Sequence, residues 1–323
     1  MRAAVCRSYG TPDVVTVEEI PAPELNAGEV RVRVTAAAVN FPDVLLVADK
    51  YQMSVPPPFV PGSEFAGVVE DIGSGVTEVS EGDRVFGTAL VGAFATEIVV
   101  APEALTRTPD GVEDGAAAAF GVAHRTAFHV LRSVARLQPG EEFVVLGAGG
   151  GVGLAAVQLG VLLGASVTAV ASSDEKLDVA KEHGATTLIN HRSGDLRQAL
   201  RDAHPDGVDV LMDPVGGELA EPALRSLHWG GRFVTVGYAS GSIPHIPLNL
   251  VMLKGIQIVG FQMLAFATNA ADEFRTNEAE LLDLLATGRV RPHIGTRFGL
   301  DEVAAALQFV GDGRAIGKVV LDL

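Results

Sequence analysis

The chain has 323 residues, 48% apolar and 20% charged, enough to build two ordinary globular cores. With 24 Lys and Arg against 40 Asp and Glu it carries a net charge of −16, which repels phosphate backbones and argues against nucleic acid as its main partner. A single cysteine, Cys6, excludes an intrachain disulfide and a multi-thiolate metal site, and suits a reducing cytoplasm.

Residues 1–7 turn charged and polar too early for a secretory core. Runs rich in Val and Thr at 14–18, 29–39, 66–72 and 95–99, parted by Gly and Pro clusters, predict strands. Turn chemistry separates them at 24–28 and 80–83. Pro56, Pro57, Pro58, Pro61 and Gly62 predict an irregular loop where backbone pairing stops and a site has room.

The rhythm changes near Gly121. Helical spacing at 126–134 ends at Pro139 and Gly140, and strand then alternates with helix. Strands are expected at 143–146, 167–170, 187–189, 208–212, 232–236 and 257–260, with helices at 151–163, 177–183, 196–203 and 218–227. This alternation implies α/β architecture, a doubly wound parallel sheet with helices on both faces. Further helices at 278–285 and 301–310 precede a closing strand at 318–321. No charge occurs from Phe143 to Ala171, long enough for a membrane span, but seven glycines there, four within 147–151, predict a buried strand–helix–strand unit. No membrane insertion is expected.

The turn at 147–153 carries the chemistry. Glycines here allow a tight turn and close approach of backbone to a pyrophosphate, and the helix start offers unpaired N–H groups and a positive dipole end. A glycine turn alone is also an ordinary strand–helix junction. The strand before it, the helix after it and the second strand at 167–170 supply the context a nucleotide site requires. Ala148, Gly149, Gly150, Gly151, Val152 and Gly153 are therefore the expected contacts. NAD sites usually place an acid after the second strand, whereas this chain has Ala171, Ser172 and Ser173, then Lys176. Hydroxyls and an ammonium suit a 2′-phosphate and point to NADPH. The same residues fit a plainer use, with Ser172 or Ser173 capping a helix over 174–183 and Lys176 solvated. Asp174 and Glu175 oppose a phosphate there.

Several segments in order resemble one family. They are Val39-Asn40-Phe41-Pro42-Asp43, Pro61-Gly62-Ser63-Glu64-Phe65-Ala66-Gly67, Gly82-Asp83-Arg84-Val85-Phe86, the glycine turn with Leu154-Ala155-Ala156-Val157-Gln158, and Gly313-Arg314 through Gly317-Lys318-Val319-Val320. Together they resemble the quinone oxidoreductase (zeta-crystallin-like) branch of the medium-chain dehydrogenase/reductases, along essentially the whole chain. The resemblance implies a GroES-like β-rich catalytic domain from residues 1–122 and 262–323, and a Rossmann domain over 123–261. It also implies a homodimer paired along the strand edge near 255–263, and a cleft between the domains for cofactor and substrate. Asn40 and Ser63 stand where zinc-dependent relatives carry Cys and His ligands. The four-cysteine structural lobe is absent, and Glu64 alone cannot close a zinc site, so zinc-free chemistry is expected.

In similar proteins residues matching Asn40, Asp43 and Tyr51 lie by the nicotinamide and substrate. Leu45 stands where the branch often has a Tyr, and His191 where it has a cofactor-cleft Tyr. His191 and Arg192 are thus candidates for the adenosine phosphate, and Thr126, Gly237 and Lys318 complete the expected cofactor set. Asn40 and Asp43 equally suit ordering a loop, and Tyr51 packing with a wet hydroxyl. The expected activity is NADPH-dependent reduction of a quinone, with Asn40 or Tyr51 donating to the developing oxyanion. Reduction of enones or enoyl thioesters, and a non-catalytic NADPH-binding role, are the alternatives. No strong catalytic acid stands out, so the proton is expected from water.

Overall fold

The computed structural model describes residues 1–323, and the chain passes between two folding units twice. The first unit comprises Met1–Val122 and Arg291–Leu323, the second Ala123–Val290.

The first unit opens with β1 (Arg2–Cys6) antiparallel to β2 (Val15–Glu19), then β3 (Val30–Val39) and α1 (Phe41–Val47). β4 (Glu64–Ile72), β5 (Arg84–Thr88), β6 (Glu97–Val100), β7 (Leu105–Arg107) and α2 (Asp114–Ala118) follow. The helix α1 has no apolar periodicity long enough to read from sequence. It forms because Pro42 sits in the first turn, where its missing N–H costs nothing, and because Asp43 Oδ2 accepts the Asn40 N–H.

The second unit starts with α3 (Ala123–His129), which runs into a π-helical turn over Val130–Val134. Strands β8 (Glu142–Leu146), β9 (Ser166–Ala171), β10 (Thr187–Asn190), β11 (Val208–Asp213), β12 (Leu227–Thr235) and β13 (Gln257–Gly260) alternate with α4 (Gly151–Leu162), α5 (Asp174–Glu182), α6 (Leu196–Ala203), α7 (Ala220–Leu224) and α8 (Leu248–Lys254). All six strands are parallel, in the order β10-β9-β8-β11-β12-β13. This is the doubly wound Rossmann order, which reverses at β8, where ligands bind such sheets. The charge-free run is β8, α4 and β9, and no helix of the chain is long and apolar enough to cross a membrane. The helix expected over 218–227 stops at Leu224, because Leu227 pairs with Val208 and opens β12 around a bulge.

α9 (Met263–Asn269) and α10 (Ala271–Ala286) also belong to this unit, so its end lies at Val290, later than the expected junction at 262. The reason is a cluster invisible to local patterning. The buried His129 ring stacks on Phe274 with centroids 4.7 Å apart, and Phe261 and Phe266 pack beside it. Its Nδ1 accepts from Asn277 at 3.2 Å and its Nε2 bonds Glu278 at 2.9 Å, tying α10 to α3.

The chain then returns to the first unit with β14 (Ile294–Gly299), α11 (Val303–Gly311) and β15 (Lys318–Asp322). The main sheet there runs β14-β15-β3-β4-β5-β7, with β6 on β3, around a core that includes Val32, Phe65, Val85, Phe94 and Leu321. Thus Lys318, near the C-terminus, lies two strands from Glu64 on β4, with β3 between them.

Candidate functional site

In the second unit, β8 ends at Leu146 and the chain turns at Gly147, whose φ of +63° favours glycine. A Cβ on Gly153 would lie 2.1 Å from the Gly147 carbonyl oxygen, and one on Gly149 would lie 2.5 Å from Lys176 Cβ. Those two glycines are therefore fixed by packing of the unit itself. Gly150 differs, since a Cβ there meets nothing closer than 3.5 Å. Gly150 precedes α4, and the first α4 amide after Gly150 to find an acceptor is that of Leu154, leaving those of Gly151, Val152 and Gly153 aimed out of the helix start. Ala148 is buried and held by its N–H to Val170 O at 3.0 Å.

At the end of β9, Ser173 caps α5, its Oγ accepting the Lys176 N–H, which realises the capping use of this segment. The Lys176 stem lies across Gly149, while Ser172 is partly buried just before the cap. His191 and Arg192 follow β10, and the His191 N–H bonds Ala171 O at 3.1 Å. Burial and then the Arg192 charge hold the Lys176 ammonium below its ordinary value. The same two causes, with Lys176 added, hold His191 down. Three groups able to carry positive charge thus crowd one corner beside the glycine turn. The acids are partly disarmed: Asp174 is exposed and accepts from Asn190 Nδ2 at 2.8 Å.

The wholly buried Asp213 was not foreseen from sequence. It ends β11, and its Oδ1 accepts the Val215 and Gly216 N–H groups, both at 2.8 Å. Burial raises its pKa despite them, and its Oδ2 has no partner. It shapes the loop whose Val215 closes over Gly147, and Gly237 joins the same loop through its N–H to Asp213 O at 3.4 Å. The one local signal was an acid ending a buried apolar strand before Pro214 and two glycines. Thr126 lies partly buried on α3.

In the first unit Asn40, Asp43, Glu64 and Lys318 form one buried cluster. Lys318 Nζ donates to Asn40 Oδ1 at 2.6 Å and to Glu64 Oε1. Asn40 Nδ2 donates to Glu64 Oε1 at 2.9 Å and reaches Ser63 Oγ at 3.3 Å, and Glu64 Oε2 accepts the Val122 N–H at 2.7 Å. Two sequence expectations change here. Lys318 was expected on the cofactor, but its side chain is only 4% exposed and its ammonium is taken up by Asn40 and Glu64. Asn40 was a candidate oxyanion donor, but both ends of its amide are already committed. Tyr51 is only partly buried, in the loop after α1, and remains the candidate donor.

This cluster also bears on zinc. Where zinc-dependent relatives hold metal, the chain presents an amide, a hydroxyl and a carboxylate already paired with its own ammonium. No three His, Cys, Asp or Glu side chains gather anywhere in a metal-holding group. These donors do not fit a zinc ion.

Comparison with known proteins agrees with both units. Residues 26–124 match the alcohol dehydrogenase GroES-like domain and residues 151–286 the zinc-binding dehydrogenase family. The chain is 37% identical over 324 residues to quinone oxidoreductase-like protein 2 of Bos taurus, covering 100% of this chain and 92% of that protein. It is 33% identical over 319 residues to the quinone oxidoreductase of Pseudomonas aeruginosa, covering 97% of each. The structure of Escherichia coli quinone oxidoreductase complexed with NADPH superimposes with a TM-score of 0.93 at 26% identity, covering 100% of both chains.

Proposed function

Since the chain belongs to the quinone oxidoreductase branch of the medium-chain dehydrogenase/reductases, we propose that it is a zinc-free, NADPH-dependent reductase of quinones or similar electron-poor carbonyls. NADPH supplies the hydride when bound. The observation that carries the reading is the pairing of the Lys176 and Arg192 cations at one corner beside the glycine turn, with the His191 ring next to them as a hydrogen-bonding group, which favours a 2′-phosphate. Gly151, Val152 and Gly153 offer their N–H groups to the pyrophosphate, with Gly150 leaving room for it, and Thr126, Ser172, Ser173 and Gly237 line the remaining cofactor path. Tyr51 donates to the acceptor oxygen as negative charge builds on it.

The test is turnover of a benzoquinone and of an enal, each with NADPH and NADH, by wild type and Lys176→Ala. Wild type is expected to reduce the quinone faster with NADPH. Lys176→Ala should lose about 10-fold in NADPH affinity, the worth of one charge-assisted hydrogen bond, with NADH unchanged. Equal losses for both cofactors remove Lys176 from the phosphate site. Preference for the enal assigns the enone reductase alternative, and tight NADPH binding without turnover the non-catalytic one.

The partner we propose is a second copy of the chain. β13 forms one edge of the parallel sheet, and Trp229, Leu248, Met252 and Leu253 are 75%, 76%, 71% and 66% exposed around that end. An apolar rim on an unpaired edge is a liability in a monomer and an interface in a dimer. Light scattering should give twice the 33.6 kDa chain mass. A monomer at all concentrations would refute it.

A further inference from the structure

Reduction of a carbonyl by hydride requires a proton as well, and the sequence showed no acid to supply it. The buried cluster contains one. Asp43 is wholly buried on α1, its Oδ2 accepts the Asn40 N–H at 2.7 Å, and its Oδ1 has no hydrogen-bond partner. The charged groups facing it are Glu64 from β4 and Lys318 from β15. Lys318 is already matched by Glu64, so a second carboxylate here would be a buried charge with no cation of its own. Holding a proton removes that charge. Burial pushes the Asp43 pKa up to about 7, and Glu64 adds to the rise. The Asn40 N–H, the Ser63 hydroxyl and Lys318 oppose it. Asn40 bridges Asp43 and Ser63, its N–H on Asp43 Oδ2 at 2.7 Å and its Nδ2 reaching Ser63 Oγ at 3.3 Å, and unlike Asp43, Ser63 is partly exposed.

We propose that Asp43 is a buried proton store and Ser63 its outlet, together supplying the proton that completes reduction of the acceptor. The inference rests on the reductase reading given above. The acceptor gains two electrons with the hydride, and its oxyanion takes the Ser63 hydroxyl proton as an O–H bond forms. Ser63 takes the Asp43 proton in the same movement, leaving an Asp43 carboxylate that water reprotonates. Both Glu64 oxygens are already engaged, Oε1 by Lys318 and Asn40 and Oε2 by the Val122 N–H, which leaves Asp43, with Oδ1 unpartnered, as the carboxyl that exchanges its proton.

The test compares wild type, Asp43→Asn and Ser63→Ala with NADPH and a benzoquinone. Asparagine keeps an oxygen for the Asn40 N–H, so the start of α1 survives. Wild-type kcat should fall as pH rises through about 7, because the donor must be protonated. Asp43→Asn should lower kcat roughly 10²-fold and abolish that fall, and Ser63→Ala should lower kcat to a similar degree. A second readout needs neither cofactor nor turnover. Infrared difference spectra of the protein alone between about pH 6 and about pH 8 should show a protonated-carboxyl band disappearing at the higher pH. The band should persist in Ser63→Ala and be missing in Asp43→Asn. An unchanged pH profile in Asp43→Asn, or a wild-type difference without the band, overturns the proposal. A wild type that shows the band yet reduces no acceptor overturns the reductase reading and leaves the proton store standing.

Discussion

Gly150→Val should abolish NADPH binding while leaving the protein folded. The valine Cβ at this position meets nothing closer than 3.5 Å, and φ at Gly150 is −85°, so the substitution strains neither the turn nor α4. Its branches instead fill the space in front of the Gly151, Val152 and Gly153 N–H groups, where a pyrophosphate has to sit. Losing two charge-assisted hydrogen bonds at about 1.5–3 kcal/mol each corresponds to roughly 10²-fold or more in Kd. Calorimetric titration with NADPH and a thermal melt check both halves. Cofactor affinity within a few-fold of wild type would remove this turn from the site. Gly153 gives the contrast, since even alanine there places Cβ against the Gly147 carbonyl and should destabilise the unit itself.

Lys318→Met should destabilise the first unit by about 3–5 kcal/mol, the cost of leaving a buried carboxylate without its cation. At about 2–4 °C per kcal/mol this is a fall in Tm of about 10 °C. Methionine fills a similar volume, so the loss is electrostatic rather than a cavity. Adding Glu64→Gln should recover most of the stability, because the orphaned charge goes with it while the amide oxygen still accepts from Val122 N–H. A single variant that melts with wild type, or a double variant no better than the single, would show that the pair carries no such energy. The prediction also separates Lys318 from the cofactor: NADPH affinity of the folded Lys318→Met protein should change little.

The two cofactor-side signals differ in how far sequence could carry them. The glycine turn is local, with strand, turn and helix contiguous from Phe143 to Leu162, so composition and spacing suffice to read it. Lys176 was legible as a cation after the second strand, but Ser173 had two uses, and the structure shows it capping α5. Its grouping with His191 and Arg192 depends on β10 pairing with β9, a contact between strands.

By itself the sequence determined the class of fold, the alternating β and α of the Rossmann unit and the dinucleotide turn, because hydrophobic period and glycine placement act within a few residues. It also set an amide and a hydroxyl, Asn40 and Ser63, where zinc-dependent relatives carry Cys and His ligands. Only the tertiary structure decided where the second unit ends, because His129 meets Phe274, Asn277 and Glu278 across nearly half the chain. Only it decided which groups Asn40, Asp43 and Lys318 bond. Glu64 and Lys318 are 254 residues apart in sequence, and β3 between β4 and β15 brings them into one ion pair. Charge state and hydrogen-bond commitment follow from what surrounds a buried group, and that is set by sheet order rather than by neighbours along the chain.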